Sequence, residues 1–168
     1  ACSSPRPPAR HTLIGRERQL GQLDQLRRRW LESRSPTAAF IHGRSGEGKT
    51  SLVEEFLGRL REQEEAIVLA GRCYDRESVP YKAIDGLIGA LVAHLGSKPD
   101  SEVEPLLPKD TDMLAYLFPE TRRVRRIGRL DLTLVKRLDA KQVRQRAFQA
   151  LKEILRRIAD RNRLVLFI

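Results

Sequence analysis

The sequence predicts an α/β fold, and three observations carry the prediction. Short apolar runs bounded by turn residues stand at 38–41, 66–70 and 164–168, each of a length suited to a buried strand. Amphipathic patterns of helical period occupy much of the chain around them. Between the first run and the helix that follows it, residues 43–50 spell G-x-x-x-x-G-K-T, the spacing of a phosphate-binding loop.

The bulk properties agree with a globular α/β domain. The chain has 168 residues, 40% hydrophobic and 32% charged, enough for one domain with a real core. No apolar run reaches membrane-spanning length, and the first residues lack the apolar centre of a signal peptide. Cys2 and Cys73 make no metal-ligand spacing, so a reduced, cytoplasmic setting is expected. The net charge of +10 suits anionic ligands, including nucleic acid. Aromatics are only 5% and do not alternate with basic residues, so base stacking has no obvious platform.

Residues 1–12 are rich in Pro, Ser and Arg and read as a linker or tail. From Leu13 onward Leu20, Leu23, Trp30 and Leu31 recur at helical spacing. Pro36 breaks that pattern ahead of the strand predicted at 38–41. Gly43, Arg44, Ser45, Gly46, Glu47, Gly48, Lys49, Thr50 and Ser51 then form the candidate phosphate site. Gly43, Gly46 and Gly48 admit torsions closed to other residues, which lets successive amides face one concavity. Lys49 is expected at the β- and γ-phosphates, and the Thr50 hydroxyl at a Mg²⁺ ion. Leu52, Val53, Phe56, Leu57 and Leu60 mark the buried face of the next helix, opposite Glu54, Glu55, Arg59 and Arg61. A strand before the loop and a helix after it distinguish this match from a solvated glycine turn that happens to contain a lysine.

Segment 66–70 predicts a second strand, and Gly71, Arg72, Cys73, Tyr74, Asp75, Arg76 and Glu77 the loop at its end. Arg72 and Arg76 either approach phosphate or pair with Asp75 and Glu77 as an ordinary polar loop, which is the reading adopted. Segment 80–95 predicts a helix with Ile84, Leu87, Ile88, Leu91 and Leu95 on one face. His94 has no metal partner at helical spacing. Segment 97–110, rich in Pro and charge, predicts a loop. Met113, Leu114, Leu117 and Phe118 suggest a short helix that Pro119 ends. Arg122, Arg123, Arg125, Arg126 and Arg129 read as a solvated basic face, with an acidic or nucleic-acid contact as the alternative. Segment 140–162 predicts a long helix with Val143, Ala147, Leu151, Ile154, Leu155 and Ile158 inward, leading into the strand at 164–168.

Leu13-Ile14-Gly15-Arg16-Glu17, the glycine loop and Gly71-Arg72-Cys73-Tyr74 together resemble the AAA-type ATPase domain related to origin-recognition proteins. That domain occurs in bacterial STAND-class signalling proteins, among them serine/threonine kinases and large transcription regulators. The resemblance covers residues 13–168. It implies a P-loop NTPase with a three-layer parallel sheet, helices on both faces and strand order 5-1-4-3-2. Strands 1, 2 and 3 would be 38–41, 66–70 and 164–168. It implies ATP or ADP with Mg²⁺ as ligands, Thr50 as the metal contact, and Ile14, Gly15 and Arg16 as adenine contacts.

Such ATPases also need an apolar strand ending in Asp and a second acid, and segment 164–168 stops where that Asp is expected. The expectation is therefore the N-terminal part of the domain, incomplete at its C-terminus, with no catalytic residue and no turnover by residues 1–168 alone. Strand 3 should pair with strand 2, leaving strand 1 without neighbours. Two functional classes fit: a nucleotide-binding module with attached effector or kinase domains, or a DNA-associated ATPase that uses its basic surface.

Overall fold

The computed structural model describes residues 15–33, 35–63, 66–71, 82–133 and 135–168. The chain divides into two units, Ala1–Glu64 and Glu65–Ile168.

The first unit is a helix, an extended segment, a loop and a second helix. Helix α1 (Glu17–Ser33) buries Leu20, with Leu23, Trp30 and Leu31 half-buried along the predicted face. Helix α2 (Lys49–Glu62) buries Leu52, Val53, Leu57 and Leu60. Phe56 is half-buried on that stripe, while Glu54 and Arg61 face water, so the helical period of the sequence is the period of the burial. Arg59 reaches Glu55 one turn back at 3.1 Å and Asp24 on α1 at 3.9 Å.

The strand predicted at 38–41 does not form. Residues 35–44 make no ladder, and Phe40 is 81% exposed. An apolar run becomes a strand only when a neighbour supplies its N–H and C=O partners. Among the described residues there is one sheet, of two strands, and this run belongs to neither. The three-layer sheet is accordingly not seen.

The second unit is built around that sheet. Strand β1 (Ile67–Ala70) pairs in parallel with β2 (Leu164–Phe167), with Ile67 opposite Leu164 and Leu69 opposite Leu166. This is the pairing expected of strands 2 and 3. Amides just outside the ladder extend it, Ile67 N–H to Arg163 O and Gly71 N–H to Phe167 O, both at 2.8 Å. Parallel strands need a long crossover, and among its described residues are the α-helices α3 (Lys82–Gly96), α4 (Asp100–Val103), α5 (Thr111–Leu117), α6 (Arg125–Gly128) and α7 (Ala140–Arg161).

The core lies within the crossover. Leu69 of β1 meets Leu87, Ile88, Leu91 and Leu95 of α3, Leu114 of α5, and Leu151, Ile154 and Ile158 of α7 in one apolar cluster. A smaller cluster joins Met113, Val135, Val143 and Ala147. At the end of β1, Gly71 is pressed against α3, where a Cβ would come 2.9 Å from the Leu87 amide nitrogen. Helix α7 starts sharply because Asp139 caps it, accepting from Lys141 N–H at 3.0 Å and Gln142 N–H at 3.2 Å.

One stretch differs from the sequence reading. Segment 97–110 is more than a loop: α4 and the 3₁₀ turn Glu104–Leu106 put Val103 and Leu106 into the core. Its prolines sit at helix-compatible positions, Pro99 before α4 and Pro105 in the first turn of the 3₁₀ segment. The arginine-rich stretch is the expected solvated basic face: Arg122, Arg123, Arg125 and Arg129 are exposed, above Val124 and Ile127 at 2% and 1% exposure.

His94 on α3 has its Nε2 buried with no hydrogen-bond partner among the described residues. Burial, and then the nearby Lys98, hold its imidazole below the ordinary value of 6.5. The unfolded chain therefore takes up a proton near pH 6.5 that the native state resists. Stability should be lost as pH falls through that value. Urea unfolding at pH 7.5 and 5.5 should show a lower midpoint at the acid pH, with part of the drop absent in His94→Gln. An identical drop in both proteins would contradict the assignment.

Candidate nucleotide-binding site

The glycine loop is positioned by the start of α2. Gly46 and Gly48 take left-handed torsions, φ 82° and 75°, which side chains with a Cβ adopt only at a cost. Gly48 is the residue before the helix, it offers no side-chain cap, and the first turn carries no acid. The first backbone bond of the helix runs from Leu52 N–H to Gly48 O at 3.0 Å. The leading amides at the positive end of α2 are thus left without a side-chain cap.

Gly43 is required for a different reason than torsion. Its φ is not in the left-handed region; instead a Cβ there would collide with the Glu47 carboxylate and touch Lys49 Cδ at 3.5 Å. The Glu47 carboxylate accepts from Arg44 N–H at 2.9 Å, and Glu47 N–H donates to Arg44 O at 3.3 Å. Lys49 Nζ donates to Gly43 O at 2.9 Å and Arg44 O at 2.7 Å. The lysine is thereby held over the loop by the loop's own carbonyls, a position from which an ammonium can meet an anion presented to the amides below it. Thr50 and Ser51, in the first turn, are exposed, as are Arg44 and Ser45.

Arg16 also comes to this loop. Its guanidinium donates to Glu47 O, and the preceding Gly15 has φ 79°, so a left-handed glycine turns the chain just before α1. Ile14, the remaining residue of the three expected at the adenine, lies outside the described residues, as do Arg72, Cys73, Tyr74, Asp75, Arg76 and Glu77. Sequence reasoning missed two contacts, Arg16 on the loop and the Glu47 carboxylate within it. The second had a visible signal, an acid placed among three glycines and two residues before the lysine.

The donor set suits a polyphosphate with a hard cation. Two left-handed glycines, a Gly43 with no room for a Cβ and a Lys49 held on loop carbonyls are groups that could receive an anion. The Thr50 hydroxyl supplies an oxygen of the kind that Mg²⁺ prefers. Among the described residues there is no group of three or more His, Cys, Asp or Glu that could hold a metal ion.

The AAA ATPase domain model matches residues 12–168. The chain belongs to the AAA ATPase domain family. No curated protein and no solved structure matches it. Members of this family are nucleotide-binding P-loop proteins that generally take ATP or ADP with Mg²⁺. No described helix of this AAA ATPase domain is long and apolar enough to cross a membrane.

A double-mutant cycle tests the loop geometry. Gly43→Ala should destabilise the loop in the wild-type background because the new methyl meets the Glu47 carboxylate. The same change should cost markedly less beside Glu47→Ala, with a coupling of about 1 kcal/mol in chemical unfolding. Strict additivity would contradict the contact.

Proposed function

We propose that this AAA ATPase domain is the ATP- and ADP-binding module of a multidomain signalling protein of the STAND class. The observation that carries the reading is the Lys49 ammonium, fixed over Gly43 O and Arg44 O at the start of a helix without a side-chain cap. Amides from residues 44–51 would bind the phosphates, Lys49 would neutralise them, and Thr50 would hold Mg²⁺. Gly15 and Arg16 would approach the base, an assignment supported by the Arg16 contact to the loop at Glu47 O. The nucleotide state would set the conformation of attached effector or kinase domains. The signalling context rests on the Leu13–Glu17 and Gly71–Tyr74 motifs.

The DNA-associated alternative stands as the second reading, and the arginines that would serve it make ion pairs within their own unit. Arg125 and Arg129 both reach Asp100, at 3.1 and 3.8 Å. Arg126 pairs with Glu104, and Arg123 with Glu120 at 3.2 Å. Exposed pairs of this kind are individually weak, so they lower the free positive charge of this stretch without barring a phosphate contact.

Titration with a fluorescent ATP analogue tests the reading. Lys49→Ala should weaken binding about 10- to 100-fold, the equivalent of one charged hydrogen-bond donor, while leaving the unfolding midpoint nearly unchanged. Thr50→Ala should weaken only the component that EDTA removes. Wild-type affinity in the Lys49→Ala protein would overturn the assignment.

A further inference from the structure

Glu47 is an acid in a loop whose proposed task is to hold anions. Its carboxylate is bonded to Arg44 N–H at 2.9 Å and lies against Gly43, where it forbids a Cβ. Lys49 Nζ binds the carbonyls of the same two residues, at 2.9 and 2.7 Å. Acid and base therefore converge on residues 43 and 44. The carboxylate occupies one backbone donor of the loop and places a negative charge within a few ångströms of the groups that would meet phosphate. Its own carbonyl is in turn held by Arg16, which ties the backbone of residue 47 to the start of α1 and limits how far the acid can withdraw.

We propose that Glu47 is a built-in competitor for the phosphate site, an intramolecular anion that lowers the affinity of this loop for nucleotide and sets it in a reversible range. The inference rests on the reading of residues 43–51 as the nucleotide site and specifies how that site is tuned. The ligand it discriminates against is the most highly charged one. A like charge at fixed distance repels each added phosphate charge, so the penalty should be greater for the triphosphate than for the diphosphate. Glu47 is exposed, so the repulsion is moderate and salt-dependent. It acts on affinity and does not threaten the fold.

Glu47→Gln separates charge from shape, because the amide oxygen can still accept from Arg44 N–H. Glu47→Asp keeps the charge and shortens the side chain. Affinities for Mg-ATP and Mg-ADP are measured by calorimetry on the 168-residue chain, in about 50 mM and about 500 mM salt, with Lys49→Ala as control. The expected result is Mg-ATP binding about 5- to 10-fold tighter in Glu47→Gln at the lower salt. That gain should be smaller for Mg-ADP, shrink at the higher salt, and be absent in Glu47→Asp. Unchanged or weaker binding in Glu47→Gln, or equal effects of Gln and Asp, would show that Glu47 only shapes the loop and would overturn the inference while leaving the nucleotide site standing. Absence of Lys49-dependent binding in both wild type and Glu47→Gln would overturn the inference together with the reading it rests on.

Discussion

The site depends on how one helix begins. Helix α2 starts at Lys49 directly after a left-handed glycine and has no side-chain cap. A capping Ser or Asp would have satisfied the leading amides internally. Gly48 leaves them to another anion and turns the chain so that the lysine folds back onto Gly43 O and Arg44 O. The buried stripe of α2 then fixes the direction of the helix, and with it the direction in which the amides point. The chemistry of the loop is thus set by packing one to three turns away, at Leu52, Val53, Leu57 and Leu60.

The second unit is stabilised by different means. Its two strands are short, and Leu166 is 44% exposed, so the sheet alone would be a weak nucleus. Most of the buried apolar surface is helical, where α5 and α7 meet and where α3 covers Leu69. The arginines of 122–129 sit on top of this core and not apart from it. Val124 and Ile127 hold the backbone in place while the guanidiniums reach Asp100, Glu104 and Glu120. Each such surface pair contributes little by itself, but Asp100 receives two arginines at once. Four of the five arginines of this stretch thus share three carboxylates.

What was legible in the sequence was whatever a local pattern decides. The glycine loop, the stripes of α1, α2, α3 and α7, and the apolar strands β1 and β2 are all written in spacing along the chain. The pairing of β1 with β2 followed once the resemblance supplied an order of strands. Segment 38–41 was misread because its apolarity is a statement about burial, and burial needs neighbours that spacing cannot provide. Segment 97–110 was misread because Pro and charge mark loops in general. Here Pro99 and Pro105 stand at helix starts, where the missing N–H costs nothing. Gly43 was assigned the right need for the wrong reason, since its constraint comes from the Glu47 carboxylate and not from φ. A side-chain contact inside a loop is invisible to pattern.

The central claim is that nucleotide phosphates sit on the amides that open α2. Amide-resolved NMR during titration with Mg-ADP tests it most directly, because each backbone N–H reports on itself. The account predicts saturable shifts concentrated at residues 43–51, with Gly46, Gly48, Lys49 and Thr50 moving most, and only slight change at Arg122, Arg125 or Arg129. Shifts concentrated in the arginine-rich stretch, with residues 43–51 unmoved at saturation, would contradict it.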